Sequence, residues 1–267
     1  MYTASDLTFV VCAYGDNQNL PKTIESLKKQ TISPSIILST STPSEYLDSI
    51  AKQFDIETVV NPERKGPGCD WNYGYSKAKT KLVTIAHQDD LYEPEYAEEI
   101  IKAANGSENP VILFTDYFEL RNDTKVCDNK ILSVKRKMNS VFLNKKKRQS
   151  RFWKRRVLSI GCPICCPSVT YNKEVCGDNP FNTTYINSCD YQTFVNLIDK
   201  NGDFVYIPKL LVGHRISEDS ATTRNLANNI RQKEDVEIFG EFWPKPIANL
   251  IYKVYSSSEK SNDMRND

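Results

Sequence analysis

The residues best suited to chemistry stand at positions 82–92, LVTIAHQDDLY, where an apolar run stops at His87, Gln88, Asp89 and Asp90. Two adjacent carboxylates disfavour each other's ionisation unless something cationic meets them. A divalent metal is the simplest such partner. Oxygen ligands at the carboxyl end of a strand suit Mg²⁺ or Mn²⁺, particularly when phosphate oxygens and water fill the remaining positions. A turn bearing two solvated aspartates is the competing reading, and residue types alone leave both open. A third carboxylate, Asp190, opens a stretch in which Tyr191, Phe194, Val195 and Ile198 recur at helical spacing. A helix N-terminus favours negative charge, so a structural role competes there with a chemical one.

These groups need elements to position them. Leu7–Ala13 reads as a buried strand, followed by the turn-forming cluster Tyr14, Gly15, Asp16 and Asn17. Leu20, Ile24 and Leu27 fall at i, i+4 and i+7 with Pro21 in the first turn, which predicts a helix to about residue 30. Further strands are expected at 35–39, 56–60, 82–86 and 111–115, with helices across 46–54 and 71–78 and another opening at Pro94. Such alternation predicts βαβ units and a mostly parallel sheet. Ligands of these sheets lie beyond the carboxyl ends of the strands, which places residues 13–16, 39–41, 61–65 and 87–90 along one edge. Arg64 and Lys65, beside Gly66 and Gly68, offer charge and open backbone to a phosphate, although Gly-Pro-Gly alone more often marks a plain turn. Trp71 occupies the third glycine position of a dinucleotide fingerprint, which argues against a dehydrogenase.

A chain of 267 residues, 39% hydrophobic and 26% charged, can bury the core of one large α/β domain. A net charge of +1 gives no support to a global nucleic-acid binder. The first apolar run lacks a basic segment before it and reads as a strand rather than a secretory signal. No stretch is apolar enough to span a bilayer. The cytoplasm is therefore the expected compartment, with the eight cysteines reduced. The sequons at Asn105, Asn122 and Asn182 would then meet no glycosylating lumen.

Two stretches carry a family likeness. The succession VVCAYGDNQNLPKTIESLKKQT, then NPERKGPGCDWNYGYSKAKTKLVTIAHQDD, resembles the nucleotide-binding half of family 2 glycosyltransferases with the GT-A fold. Those enzymes open on a strand ending in a Tyr-Asn-Glu-like turn and later end a strand on an Asp-x-Asp type metal motif. The resemblance implies a Rossmann-like α/β domain over residues 1–225, its mostly parallel sheet flanked by helices. A nucleotide-binding half would cover 1–115 and an acceptor-binding half 116–225, with a C-terminal helix and disordered tail over 226–267. It implies nucleotide-sugar contacts from Ala13, Tyr14, Asp16, Thr40, Arg64, Lys65, Asp89 and Arg215. It also implies Mn²⁺ or Mg²⁺ on Asp89 and Asp90, with His87 and His214 as further candidate ligands, and Asp190 as catalytic base.

The implied reaction is inverting transfer of a sugar, from a UDP-sugar by expectation, to a hydroxyl of a glycan or lipid-linked acceptor in bacterial surface-polysaccharide assembly. Three positions depart from the family pattern. Ser39, Thr40, Ser41 and Thr42 stand where an acidic pair usually grips the uracil, His87 replaces the first acid of the metal motif, and Cys189 replaces the Glu before Asp190. Two other readings compete. Ala-His-Gln-Asp-Asp also looks like the motif of zinc-dependent N-acetylglucosamine deacetylases, but those need a later His-x-x-His, and the histidines here are His87 and His214 alone. A non-catalytic binding protein of the same fold is the third.

Outside the motif, eight of the twelve residues 145–156 are basic, interrupted by Phe152 and Trp153. Such a segment is a solvated mobile loop, or it contacts an anionic partner, either an acidic membrane leaflet or the pyrophosphate of a lipid-linked acceptor. Cys162 and Cys165 have zinc-like spacing without a second pair, so packed free thiols are expected. Residues 167–171 and 204–208 read as strands, and 212–223 as a polar loop holding His214 and Arg215. Ile247, Leu250, Ile251 and Val254 predict an amphipathic helix begun by Pro246, packed on the domain or lying on a membrane surface, with a disordered tail after about residue 256.

Overall fold

The computed structural model describes residues 1–216 and 230–259. Strands β1 (Leu7–Ala13), β2 (Ser35–Thr40), β3 (Glu57–Val60) and β4 (Leu82–His87) pair in parallel, in the spatial order β3-β2-β1-β4. Helices α1 (Leu20–Lys28), α2 (Glu45–Phe54) and α3 (Pro67–Lys77) connect them. β1 and β4 are buried almost throughout, as central parallel strands must be when helices cover both faces. α2 begins where Ser44 accepts a hydrogen bond from Leu47 N at 3.2 Å and ends at Asp55, which adopts φ +49°. These elements lie within a few residues of their expected places.

Beyond β4 the sheet changes character. After the short β5 (Leu91–Tyr92) and helix α4 (Tyr96–Asn105) come β6 (Pro110–Arg121), β7 (Thr124–Val126), β8 (Val169–Asn172) and β9 (Asp203–Ile216), extending the order to β4-β8-β6-β9-β5 with β7 on β6. β8 is antiparallel to both neighbours, β6 and β9 are parallel, and β5 is antiparallel to β9. The sheet is thus parallel over its first half and mixed over its second. Hydrophobic runs report burial and not strand direction, which is why the expectation of a mostly parallel sheet holds only for the first half.

β6 and β9 are far longer than the expected 111–115 and 204–208. They support one another in register from Pro110↔Asp203 to Arg121↔Ile216, with irregularities near Asp116. Asp116, Glu119, Pro208 and Lys209 interrupt the apolar pattern, and buried Glu119 is satisfied by Arg121 at 2.9 Å and Asn129 at 3.1 Å. His214 and Arg215 consequently sit on a strand and not in the expected polar loop, whose remaining residues lie outside the described ones.

Residues 145–156 are not a loop. After helix α5 (Lys130–Asn139), Asn144 caps α6 (Lys145–Gln149) by accepting from Lys146 N and Lys147 N, and Ser150 leads into α7 (Arg151–Leu158). Lys154 is fully buried, donating from Nζ to Gly202 O at 2.8 Å over the Phe204 ring, and burial lowers its pKa to about 8. A charge that finds carbonyls and an aromatic face is anchored rather than solvated.

A short helix α8 (Lys173–Cys176) and α9 (Cys189–Leu197) follow, and two helices close the described chain, Ile230–Gly240 and Lys245–Glu259. The first was not foreseen. The second runs past residue 256, where a tail was expected; residues after 259 and the expected boundary at 225 lie outside the described ones. Ile238, Phe239 and Ala248 join Tyr75, Tyr171 and Phe194 in one core, so both helices pack on the sheet domain. No helix among the described residues is long and apolar enough to cross a membrane. The cysteines are free thiols, with Cys165, Cys166, Cys176 and Cys189 buried.

The start of α3 is the tightest joint. Gly66 caps it at φ +99°, and a Cβ on Gly68 would lie 1.9 Å from the backbone oxygen of Asn182. Gly68→Ala is therefore expected to cost about 3 kcal/mol in chemical denaturation, because a backbone obstacle cannot rotate away.

Candidate active site

Parallel register turns the strand ends into one ledge. Ala13 lies opposite Thr40, Cys12 opposite His87, and Thr40 opposite Val60, so the loops after β1, β2, β3 and β4 open side by side. Gln88 ties the first and last of these together: its side chain accepts from Tyr14 N and donates to Tyr14 O, each at 3.1 Å. Gly15 N donates to Thr42 Oγ1 at 2.7 Å, and Ser44 Oγ to Asp16 Oδ1 at 2.6 Å. Tyr14 itself projects from this framework, 65% exposed.

Thr40 and Ser41 are buried at the end of β2 with no acid among them. A carboxylate arrives instead from the first turn of α3: Asp70 accepts from Ser41 Oγ at 2.9 Å and from Asn61 Nδ2 at 2.8 Å. Arg64 donates from Nε to Ser41 O at 2.7 Å, which holds its guanidinium at the ledge, whereas Lys65 is exposed and paired with Glu63 at 2.8 Å. An open cleft of about 480 Å³ runs along α3, lined by Asn61, Glu63, Cys69, Asn72 and Tyr73.

The adjacent carboxylates face different surroundings. Asp90 is fully buried; its Oδ1 accepts from Arg215 N at 2.8 Å and meets His214 Nδ1 at 3.0 Å. The pairing of β5 with β9, Leu91↔Gly213 and Tyr92↔Val212, is what carries His214 and Arg215 to it. Burial opposes ionisation of Asp90, but the His214 charge and hydrogen bond outweigh it and hold the carboxyl below its ordinary range. Asp89 goes the other way, pushed up by burial and then by the Asp90 charge. In His214, burial is overcome by Asp90, and the imidazole pKa rises. Arg215 donates from Nε to Asp89 O at 3.0 Å and pairs with Asp123 at 2.6 Å, while its Nη2 is buried without a hydrogen-bond partner among the described residues.

Asp190 occupies the first turn of α9, its Oδ1 accepting from Tyr191 N at 2.8 Å. Burial raises its pKa against the lowering effects of that hydrogen bond, Arg231 and His87. His87 is common ground: its charge lowers the pKa of Asp89, Asp90 and Asp190 alike. Its ring stacks on Trp71 with centroids 5.4 Å apart, and its Nε2 is buried without a hydrogen-bond partner. His87 Nδ1 lies 3.7 Å from Asp90 Oδ2, and its charge is felt by Asp89 and Asp190 as well.

What the sequence did not disclose is the support behind Asp190. Glu234 accepts from Ile186 N, Asn187 N and Ser188 N, each at 2.9 Å, and Asp235 accepts from Ser188 Oγ at 2.7 Å. The helix Ile230–Gly240 thereby clamps the segment entering α9. Two adjacent acids, Glu234 and Asp235, inside a segment with irregular apolar spacing were the available signal.

The donor set suits a hard divalent cation in one respect: among the described residues Asp90 Oδ2 is buried without a hydrogen bond, with His87 Nδ1 3.7 Å away, beside the carboxylate of Asp89. Among the described residues no group of three His, Cys, Asp or Glu is arranged as a ready-made cage.

Comparison with known proteins bears on the fold and the family. Chains of Staphylococcal TarS share the fold: S. aureus TarS 1-349 superposes with a TM-score of 0.63 at 13% identity, over 98% of this chain and 73% of that one. TarS 1-349 in complex with UDP-GlcNAc gives 0.62 at 14% identity, over 92% and 70%. Mannosyltransferase PcManGT from Pyrobaculum calidifontis, in complex with GDP-Man and Mn²⁺, gives 0.60 at 12% identity, over 96% and 75%. The putative glycosyltransferase EpsH of Bacillus subtilis (strain 168) is 24% identical over 130 residues, which cover 47% of this chain and 38% of EpsH. Residues 8–171 match the family described as Glycosyl transferase family 2, a span running from β1 through the Asp89–Asp90 turn to β8. With its strand ledge, its paired carboxylates and that match over more than half its length, the chain belongs to glycosyl transferase family 2.

Proposed function

We propose that the protein is an inverting glycosyltransferase that moves a sugar from a nucleoside diphosphate sugar, with UDP as the favoured nucleotide, to a hydroxyl of a glycan or lipid-linked acceptor. The observation that carries this reading is the buried Asp90 beside Asp89 just after β4, its carboxylate met by His214 and Arg215 from β9 and approached by His87 at 3.7 Å. TarS bound to UDP-GlcNAc and PcManGT bound to GDP-Man support a nucleotide-sugar donor. EpsH supports a bacterial setting, for which surface-polysaccharide assembly is the proposed context.

Tyr14, Asp16, Thr40 and Arg64, with the backbone after Ala13, would receive the nucleotide along the ledge, and Lys65 would add charge at its rim. Arg215 would face the diphosphate with its unsatisfied Nη2. Asp190 removes the proton of the acceptor hydroxyl as that oxygen attacks the anomeric carbon. The bond from that carbon to the diphosphate breaks on the opposite face, its electron pair leaves with the nucleoside diphosphate, and the configuration inverts through an oxocarbenium-like state. Asp89 and Asp90, with His214 or His87 as further contacts, would hold Mn²⁺ or Mg²⁺, which supplies Lewis-acid neutralisation of the leaving diphosphate. Trp71, stacked on His87, would cover one side of the reacting centre.

The deciding experiment measures nucleoside diphosphate release from a panel of UDP-, GDP- and dTDP-sugars with Mn²⁺, Mg²⁺ or chelator. One donor is expected to turn over, with activity lost on chelation and restored by Mn²⁺. Release of acetate from an N-acetylated sugar, or no turnover of any donor, would overturn the reading.

A further inference from the structure

No acid stands between Asp128 and Glu174, so α5, α6 and α7 carry basic side chains and no acidic ones, and Arg136 on α5 pairs with Asp116 at 2.6 Å and Asp128 at 3.2 Å. Some of that charge is committed: Arg148 pairs with Asp203 at 2.8 Å, Arg151 with Asp199, and Lys154 is buried. Lys145, Lys146 and Arg156 are exposed. Lys147 and Arg156 flank indole rings, with Lys147 Nζ 4.4 Å from the Trp153 centroid and the Arg156 guanidinium 5.9 Å from that of Trp243. Trp153, Met138, Val141 and Ile160 line an open apolar cavity of about 170 Å³ with Arg156 at its rim. Phe152 beside it is 66% exposed and Ile160 48%.

This basic surface continues onto the C-terminal helix. Trp243 Nε1 donates to Ser159 O at 2.7 Å, and Arg155 lies over Phe242 at 4.7 Å, joining the end of α7 to the turn that starts Lys245–Glu259. On that helix Ala248 faces the core, while Ile247, Leu250 and Val254, at i, i+3 and i+7, are exposed at 42%, 62% and 68%. The cations and aromatic rings at the end of α7 thus adjoin the helix that carries the exposed apolar stripe, on the side of the molecule where these two elements meet.

We propose that this side is a docking surface for an anionic lipid bilayer. Lipid phosphates satisfy the lysines and arginines, and the headgroup–acyl boundary takes up Phe152, Ile160 and the Leu250 stripe. A nucleic acid would use the cations and leave the stripe in water, and a second copy would set one basic surface against another. The inference is independent of the transferase reading, since none of these residues belongs to the ledge.

The test is flotation of the whole chain with vesicles of phosphatidylcholine alone and of phosphatidylcholine mixed with phosphatidylglycerol. The protein is expected to float with the mixed vesicles only and to be released by high salt. Lys145→Glu with Lys146→Glu is expected to weaken binding at least about tenfold. Leu250→Asp is expected to weaken it similarly, and both variants should keep wild-type melting and wild-type nucleoside diphosphate release without vesicles. Failure to float, equal binding to neutral vesicles, or wild-type flotation of both variants overturns the proposal. So does a concentration-dependent dimer in light scattering that Leu250→Asp abolishes.

Discussion

Asp190→Asn is expected to lower sugar transfer by about a thousandfold or more, with donor affinity unchanged. A positioned general base contributes roughly 10²–10⁴-fold, and the amide can neither accept the proton nor be replaced by its neighbours. The backbone of α9 should be untouched, because Glu234 and Asp235 fix its entry independently of the Asp190 side chain. Steady-state transfer kinetics beside calorimetric titration with the donor separates the two effects. Retained turnover removes Asp190 from the chemistry, and lost binding makes it a donor contact. The pH profile adds a second readout. Burial raises the Asp190 pKa above its ordinary 3.8, so the acid limb of kcat/KM should fall at higher pH than a solvated aspartate would give.

Asp90→Asn is expected to cost stability and turnover together. It removes the charge that raises His214 and leaves that imidazole and Arg215 without their shared carboxylate. Breaking a buried pair costs about 3–5 kcal/mol, and the partial exposure of His214 brings the expected loss to about 2–3 kcal/mol. Its pH dependence has a definite sign. The depressed Asp90 contributes stability above the ordinary aspartate value of 3.8, lost as pH falls through the folded value. The raised His214 contributes stability below the ordinary histidine value of 6.5, lost as pH rises through the folded value. The wild-type advantage in denaturation with chelator present should therefore peak between these values and decline on either side. A difference that keeps growing above neutral pH would mean that His214 is not the partner that matters.

The first half of the fold was legible because parallel strands buried on both faces leave continuous apolar runs, as in β1 and β4, punctuated by turn residues such as Gly15 and Asn17. The second half hides its pattern. β6 and β9 carry polar residues that are satisfied by one another or by neighbouring helices, and only the paired structure reveals that Glu119 or Lys154 is inside. The site divides in the same way. Asp89, Asp90 and Asp190 announce themselves by type and by position at element ends. The pairing of Asp90 with His214, the stacking of Trp71 on His87 and the hydrogen bonds that bring Asp70 to Ser41 and Asn61 depend on contacts across the chain. Local spacing carries no record of those.

The 125-residue separation between Asp90 and Arg215 also has a consequence during synthesis. A ribosome adding roughly 5–20 residues per second produces strands β1–β4 many seconds before β9. Throughout that interval the Asp90 carboxylate has neither the imidazole of His214 nor the amide of Arg215, and it cannot be buried without one of them. The nascent ledge must stay open and hydrated at its future centre. Closure of the pocket is thereby timed to the arrival of the last strand, and a chain stalled before residue 203 would expose the edge of β6 that β9 later covers, inviting association between unfinished copies.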